Sequence, residues 1–277
     1  MSETDTNATM AVFLDLENIV LGAKDAKFPP FDIKLVLERL LLRGHIVVKK
    51  AYCDFARYKD FKRDLHEAAF ELIEIPHVRQ SGKNSADIRM VVDALDLCYT
   101  KAHLDTFVIL SGDSDFSPLV SKLRENAKTV VGVGVKNSSS DLFINNCDQF
   151  VYYDDLVREK PKPPVRKPRL KADARKPEAE ATEEEGARKG PTLDQALDQL
   201  SATLHALETE RGDDKIWSSM IKQALKRRNP GFNERAHGFR TFNDLLKAAE
   251  KQGLLKMEAT GQPGNFQVRS IELGRGA

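Results

Sequence analysis

The chain has 277 residues, 43 basic against 42 acidic, so it is too long for one small core and its formal charge of +1 advertises no polyanionic partner. Three widely spaced cysteines, Cys53, Cys98 and Cys147, form no CxxC pair and adjoin no histidine cluster. That spacing excludes a zinc ribbon or disulfide framework and fits ordinary thiols in a reducing cytoplasm. The polar first eight residues carry no basic n-region, and Asp15 and Glu17 interrupt the apolar run that follows, so neither signal peptide nor membrane span is expected.

From Met10 to Asp155 short β-branched runs alternate with amphipathic stretches, which predicts an α/β unit: a parallel sheet with helices on both faces. Strands are predicted near Met10 to Asp15, His45 to Cys53, Leu72 to Pro76, Thr106 to Leu110, Thr129 to Val135 and Gln149 to Tyr152. Helices are predicted near Ile33 to Arg43, Lys59 to Phe70, Ala86 to Lys101, Phe116 to Asn126 and Asp141 to Asn146, with a loop around Gly22. Asp32 is placed to cap the first of these, and Pro118 sits in the opening turn of the fourth.

Residues 158–190 turn to Lys, Arg, Pro, Ala and Glu with almost no large apolar side chain. Such a stretch cannot bury enough surface to offset its ordering entropy and is expected to be a disordered linker. It divides the chain into an α/β unit over 10–157 and a smaller unit over 191–273. In the latter, leucines from Leu193 to Leu207, then Ile216 to Leu225, then Phe242 to Ala249 recur at helical spacing, and a hairpin follows over Leu254 to Met257 and Asn265 to Val268. Three helices and a two-stranded wing predict a separate small winged helix-turn-helix domain.

Chemistry concentrates in the first unit. Asp15 ends the first predicted strand, Asp113 and Asp115 follow the fourth, and Asp87 opens the helix that leaves the third. Ligands of open α/β sheets bind outside the carboxyl ends of strands, so the four acids are expected on one rim. Gathered carboxylates repel unless a cation neutralises them, and an oxygen-only set suits Mg2+ or Mn2+. Such ions can activate water and clamp a phosphoryl group. Taken singly, each acid also reads as a helix cap. Asn18 is a candidate to hold a ligated water or a scissile phosphate, and otherwise a turn residue.

Asp15-Leu-Glu-Asn18, the Lys83 to Asp87 stretch, Ser111-Gly-Asp-Ser-Asp-Phe116, and Ser138-Ser-Ser140 followed by Asp148-Gln-Phe150 resemble a NYN domain, the PIN-related Rossmann-like nuclease fold of LabA-like proteins. The chain has Asn84-Ser-Ala-Asp87 where that family often has Lys-Gly-Val-Asp. The resemblance implies a metal-dependent ribonuclease with Asp15, Asp87, Asp113 and Asp115 in its acidic cluster and Asn18 beside it. Lys83 and Lys136 follow strands where they could contact an RNA backbone, and Ser138 and Ser139 precede a short helix whose N-terminus could hold a phosphate.

In the second unit Lys222, Lys226, Arg227 and Arg228 crowd one end of a helix, and Arg235 and Arg240 follow in the next loop with Phe232 and Phe239 interleaved. The charges read as RNA contacts and the phenylalanines as core. Pro230-Gly-Phe232, Gly238-Phe-Arg-Thr-Phe242 and Leu245-Leu246 resemble an OST-HTH, or LOTUS, domain, which implies RNA binding or, in some members, docking to a protein partner. The expected function is a cytoplasmic Mg2+- or Mn2+-dependent ribonuclease carrying an RNA-binding module. The rivals are a non-catalytic RNA-binding adaptor and a phosphatase of the haloacid-dehalogenase type. The latter needs a second Asp two residues after its nucleophile, where this chain has Glu17.

Overall fold

The computed structural model describes residues 8–75, 84–158, 193–212, 214–259 and 266–270. Six strands, β1 (Ala8–Asp15), β2 (Gly44–Cys53), β3 (Glu71–Glu74), β4 (Thr106–Leu110), β5 (Thr129–Gly134) and β6 (Gln149–Tyr152), form one sheet in the order β3-β2-β1-β4-β5-β6. Every pairing in it is parallel.

The central strand β1 explains the layering. Its residues are apolar without interruption because both faces are covered, and they alternate between two cores. Met10, Val12 and Leu14 pack with α1 (Leu16–Asp25), α2 (Ile33–Leu41), α3 (Lys62–Glu67) and Leu156 of α7 (Tyr153–Arg158). Ala11 and Phe13 pack on the other side, with Met90 and Ala94 of α4 (Ser85–Thr100), Leu119 and Val120 of α5 (Ser117–Glu125) and Phe143 of α6 (Asp141–Asn146). Asp32 caps α2 and Pro118 stands in the first turn of α5.

Three elements depart from the sequence expectation. The predicted loop around Gly22 is the helix α1, because Asp15 caps it by accepting from the Asn18 amide and Leu16, Ile19 and Ala23 bury one face. Gly22 lies within that helix for a packing reason: a Cβ there would come 2.2 Å from Ser138 Oγ. The predicted helix from Lys59 to Phe70 is a 3-10 turn over Lys59–Phe61 followed by the short α3, which ends where Ala69 adopts φ +57°. The helix α7 forms beyond the last strand, anchored by Tyr153, whose hydroxyl accepts from the Asp32 amide at 2.9 Å.

The second unit contains α8 (Leu193–Arg211), α9 (Ser218–Arg228), α10 (Phe242–Lys251) and an antiparallel hairpin of β7 (Leu255–Ala259) and β8 (Phe266–Ser270). Leucines of α8, Ile221 and Leu225 of α9, and Phe242, Leu245 and Leu246 of α10 form its core. Phe232 is buried in that core and Phe239 packs partly against it, as expected. The expected linker lies outside the described residues apart from Arg158, which closes α7.

The two units touch. Leu42, just beyond α2, belongs to the second core, and the Arg227 guanidinium donates to the carbonyl oxygens of Leu41 at 2.8 Å and Leu42 at 3.0 Å. Arg228 pairs with Glu38 at 3.2 Å, and Glu210 pairs with Arg39 and Arg43. These contacts sit where α2 turns into Gly44 and β2 begins, at the strand starts. An eight-residue strand places them roughly 23 Å from the strand ends.

Candidate active site at the strand ends

Parallel pairing sets Leu14 beside Leu110, so Asp15 and Ser111 leave neighbouring strands together. This is where strand order reverses, β2 and β3 lying on one side and β5 and β6 on the other, the place where open α/β sheets form their ligand crevice. Hydrogen bonds stitch it. Ser111 Oγ donates to Asp15 Oδ2 at 2.9 Å and accepts from the Asp113 amide at 3.2 Å. Asn18 Oδ1 accepts from the Gly112 amide at 2.8 Å, and Asp113 Oδ1 accepts from the Asp115 amide at 2.9 Å. The loop after β5 closes a third wall, with the Ser140 amide donating to the Gly112 carbonyl at 2.8 Å. Only glycine fits at 112, since a Cβ would meet the Ser138 carbonyl oxygen at 2.3 Å.

Among the described residues, this rim is where carboxyl groups are pushed above their ordinary range. Asp15 is buried, and desolvation together with repulsion from Asp87 and Asp113 pushes its carboxyl up to about 7, against the bonds from Asn18 and Ser111. Asp87 is pushed up to about 6 by desolvation and by repulsion from Asp113, Asp115 and Glu17. Asp15 therefore lies within electrostatic reach of Asp87 and Asp113, and Asp87 within reach of Asp113 and Asp115. Among the described residues, however, no three His, Cys, Asp or Glu side chains stand close enough together to hold one metal ion.

The other expected site residues divide. Asn18 directs its carboxamide oxygen to the backbone of Gly112, so it joins the two strand ends rather than presenting that oxygen to the crevice. Ser138 and Ser139 direct their hydroxyls to the Val135 carbonyl, and the N-cap of α6 is Ser140. Lys136 is exposed, pairs with Asp155 at 3.1 Å and lies over the Tyr152 ring. Lys83 lies outside the described residues. Asp93 does not face the rim: it accepts from Tyr52 and Arg89 and pairs with Lys50, which fixes α4 to β2.

In the second unit Lys226, Arg235 and Arg240 are exposed. Lys222 pairs with Glu234 at 3.1 Å, while Arg227 and Arg228 are engaged with α2 as described. The last two were expected in the basic RNA-contacting group, and sequence gave no sign that they meet the first unit. Two residues gained roles beyond the sequence reading. Ser111 is the donor that orients Asp15, and Glu17 adds to the repulsion felt by Asp87 while pairing with Arg57 at 3.7 Å.

The family model described as NYN domain matches residues 9–154. An uncharacterized protein of Methanocaldococcus jannaschii, MJ0482, is 27% identical over 155 residues, which cover 55% of this chain and 61% of that relative's length. A crystal structure of a protein of unknown function from Vibrio parahaemolyticus, VPA0982, superposes with a TM-score of 0.49 at 26% identity, over 56% of this chain and 98% of the other.

Proposed function

The chain belongs to the NYN domain family, a PIN-like family of nuclease type, and from that premise we propose that it is a Mg2+- or Mn2+-dependent ribonuclease. The observation that carries the reading is the rim itself: burial and the charges of neighbouring carboxylates push Asp15 and Asp87 up, with Asp113 and Asp115 among the repelling neighbours, and among the described residues none of the four is paired with a lysine or arginine. Structural carboxylates are normally neutralised by a neighbour, and perturbed ones cluster at working sites.

The donor set fits a hard divalent cation in its chemistry, being oxygen only and mutually repulsive. Magnesium is commonly held by one or two carboxylates, with waters and substrate phosphate completing its shell, so a tight cage of three acids is not required. One or two of Asp15, Asp87, Asp113 and Asp115 would hold it, and the chemistry it would supply is polarisation of the phosphoryl group and activation of water. The protein's own part is positional. Ser111 and the Asn18 amide fix the Asp15 carboxylate, Gly112 lets the two neighbouring loops meet, and Asp115, one residue pair beyond Asp113, is exposed where it could orient water.

The second unit reads as an RNA-retaining module of OST-HTH type, with Lys222, Lys226, Arg235 and Arg240 as its phosphate contacts and a protein partner as the other use of such modules. A non-catalytic RNA adaptor is the second reading, favoured by the absence, among the described residues, of three acids within reach of one ion. A metal titration separates them. Wild type should cut RNA with rising Mg2+ or Mn2+, and Asp15→Asn and Asp113→Asn should bind RNA without cutting it. RNA bound at every metal concentration and never cut would establish the adaptor, and cutting that survives excess chelator would remove the acids from the mechanism.

A further inference from the structure

Beside the acidic rim, α4, α5 and α6 enclose an open groove of about 710 Å3, within the ~300–1,000 Å3 range of small-ligand clefts. Ile88, Val92 and Leu142 line it, and they are 64%, 56% and 59% exposed. Single apolar side chains on a surface need no explanation, but three large ones converging in one groove do. Asp87 and Asp115 line the same groove, so it is continuous with the rim.

We infer that this groove is a nucleobase subsite, seating the base next to the phosphodiester that the rim acts on. The inference rests on the ribonuclease reading of the rim. Three observations select a base as the occupant. No lysine, arginine or histidine is among the described residues lining the groove, and two carboxylates are, so a phosphate backbone is repelled from it. Most of its exposed lining is apolar, from Ile88, Val91, Val92, Pro118 and Leu142, which suits the face of a base freed from its stack. Asn146 is among the lining residues, and a carboxamide can both donate to and accept from a base edge. A base inside a duplex has both faces covered and cannot enter, so the subsite selects unpaired positions.

The test is photo-crosslinking of a single-stranded oligonucleotide bearing 4-thiouridine to the full chain in excess chelator, with crosslinked peptides mapped. Crosslinks should fall on α4 and α6, a fully paired duplex should not compete, and Ile88→Ser/Val92→Ser should lower the yield roughly tenfold. Both substituted side chains are largely exposed, so the fold is retained, which circular dichroism checks. Crosslinks confined to other elements, or unchanged yield in the double variant, would overturn the subsite. A concentration-dependent wild-type dimer that the double variant makes monomeric would assign the groove to a second copy instead. Cleavage by wild type with Mn2+ is read separately: groove crosslinks without cleavage would sink the ribonuclease reading and keep a base site, whereas cleavage with crosslinks elsewhere would do the reverse.

Discussion

At the strand starts of the sheet, Asp105 accepts from the Thr9 amide at 3.0 Å and from the Thr106 hydroxyl at 2.7 Å, Asp148 pairs with Arg124 at 2.9 Å, and Glu210 lies between Arg39 and Arg43. At the strand ends Asp15, Asp87, Asp113 and Asp115 face one another, and among the described residues no cationic side chain pairs with any of them. The same residue type is therefore used in two ways by one sheet. At the starts each acid is matched by a local donor and holds the backbone or the second unit in place. At the ends the acids are left mutually repelling, which costs stability and makes sense where a cation and a polyanion are to be received.

The largest expected effect contrasts the two ends directly. Asp113→Asn should lower Mn2+-supported RNA cleavage by roughly 100-fold or more, the size typical of losing one electrostatic participant. Asp105→Asn, at the other end, should change cleavage less than about twofold while lowering stability by about 1 kcal/mol through its weakened bonds. Equal losses of cleavage from both substitutions would show that the two ends are not functionally distinct.

Next in size is Gly112→Ala. The added methyl meets backbone at Ser138 rather than a yielding side chain tip, so the loops after β4 and β5 must separate. Thermal unfolding should register about 1–3 kcal/mol of destabilisation, typical of an overpacked site. Cleavage should fall with it, because Ser111 and Asp113 flank the displaced residue. A glycine at a strand start, Gly44, would also clash with backbone if substituted, at Ala8, yet it should cost stability without a matching change in metal dependence.

How far the sequence could be read follows the same division. The strands of the sheet and the meeting of the Asp15 and Asp113 loops were legible because they depend on hydrophobic runs and on the rule that parallel strands end together. The helix α1 was not, because Gly22 reads as a loop residue until its close approach to Ser138 is known. The role of Ser111 was hidden likewise, since its partner Asp15 is 96 residues away. Arg227 and Arg228 were the least legible: a basic run at the end of α9 looks the same whether it faces RNA or the carbonyl end of α2. Local pattern reports the element; only tertiary neighbours report what a charge is for.

The contact between units offers the third test. Arg227→Ala leaves the Leu41 and Leu42 carbonyls without their charged donor and should cost about 1.5–3 kcal/mol of the contact. Calorimetry should then show the second unit melting ahead of the sheet, while the metal requirement of cleavage stays as in wild type. RNA affinity that drops as far in Arg227→Ala as in Lys226→Ala would instead mean that Arg227 reaches RNA.

The smallest effect is the most direct reading of the unpaired acids, because it needs no substrate. Folding raises the Asp15 carboxyl to about 7 and the Asp87 carboxyl to about 6, so each holds its proton more tightly in the native state than in the unfolded chain. Their contribution to stability is then fully present below the ordinary carboxylate pKa and is lost as pH rises through about 6 to about 7. In chelator, the melting temperature of wild type should fall between about pH 5 and about pH 8 by a few degrees. Asp15→Asn, which cannot ionise, should reduce the slope to the part that Asp87 contributes, and Asp105→Asn should leave it unchanged. Added Mn2+ should lift the wild-type curve most at the alkaline end, where both carboxylates are charged and a bound cation relieves their repulsion. A slope as steep in Asp15→Asn as in wild type, or a Mn2+ effect independent of pH, would mean that the strand-end acids are already neutralised and that the two ends of the sheet differ less than their pairing indicates.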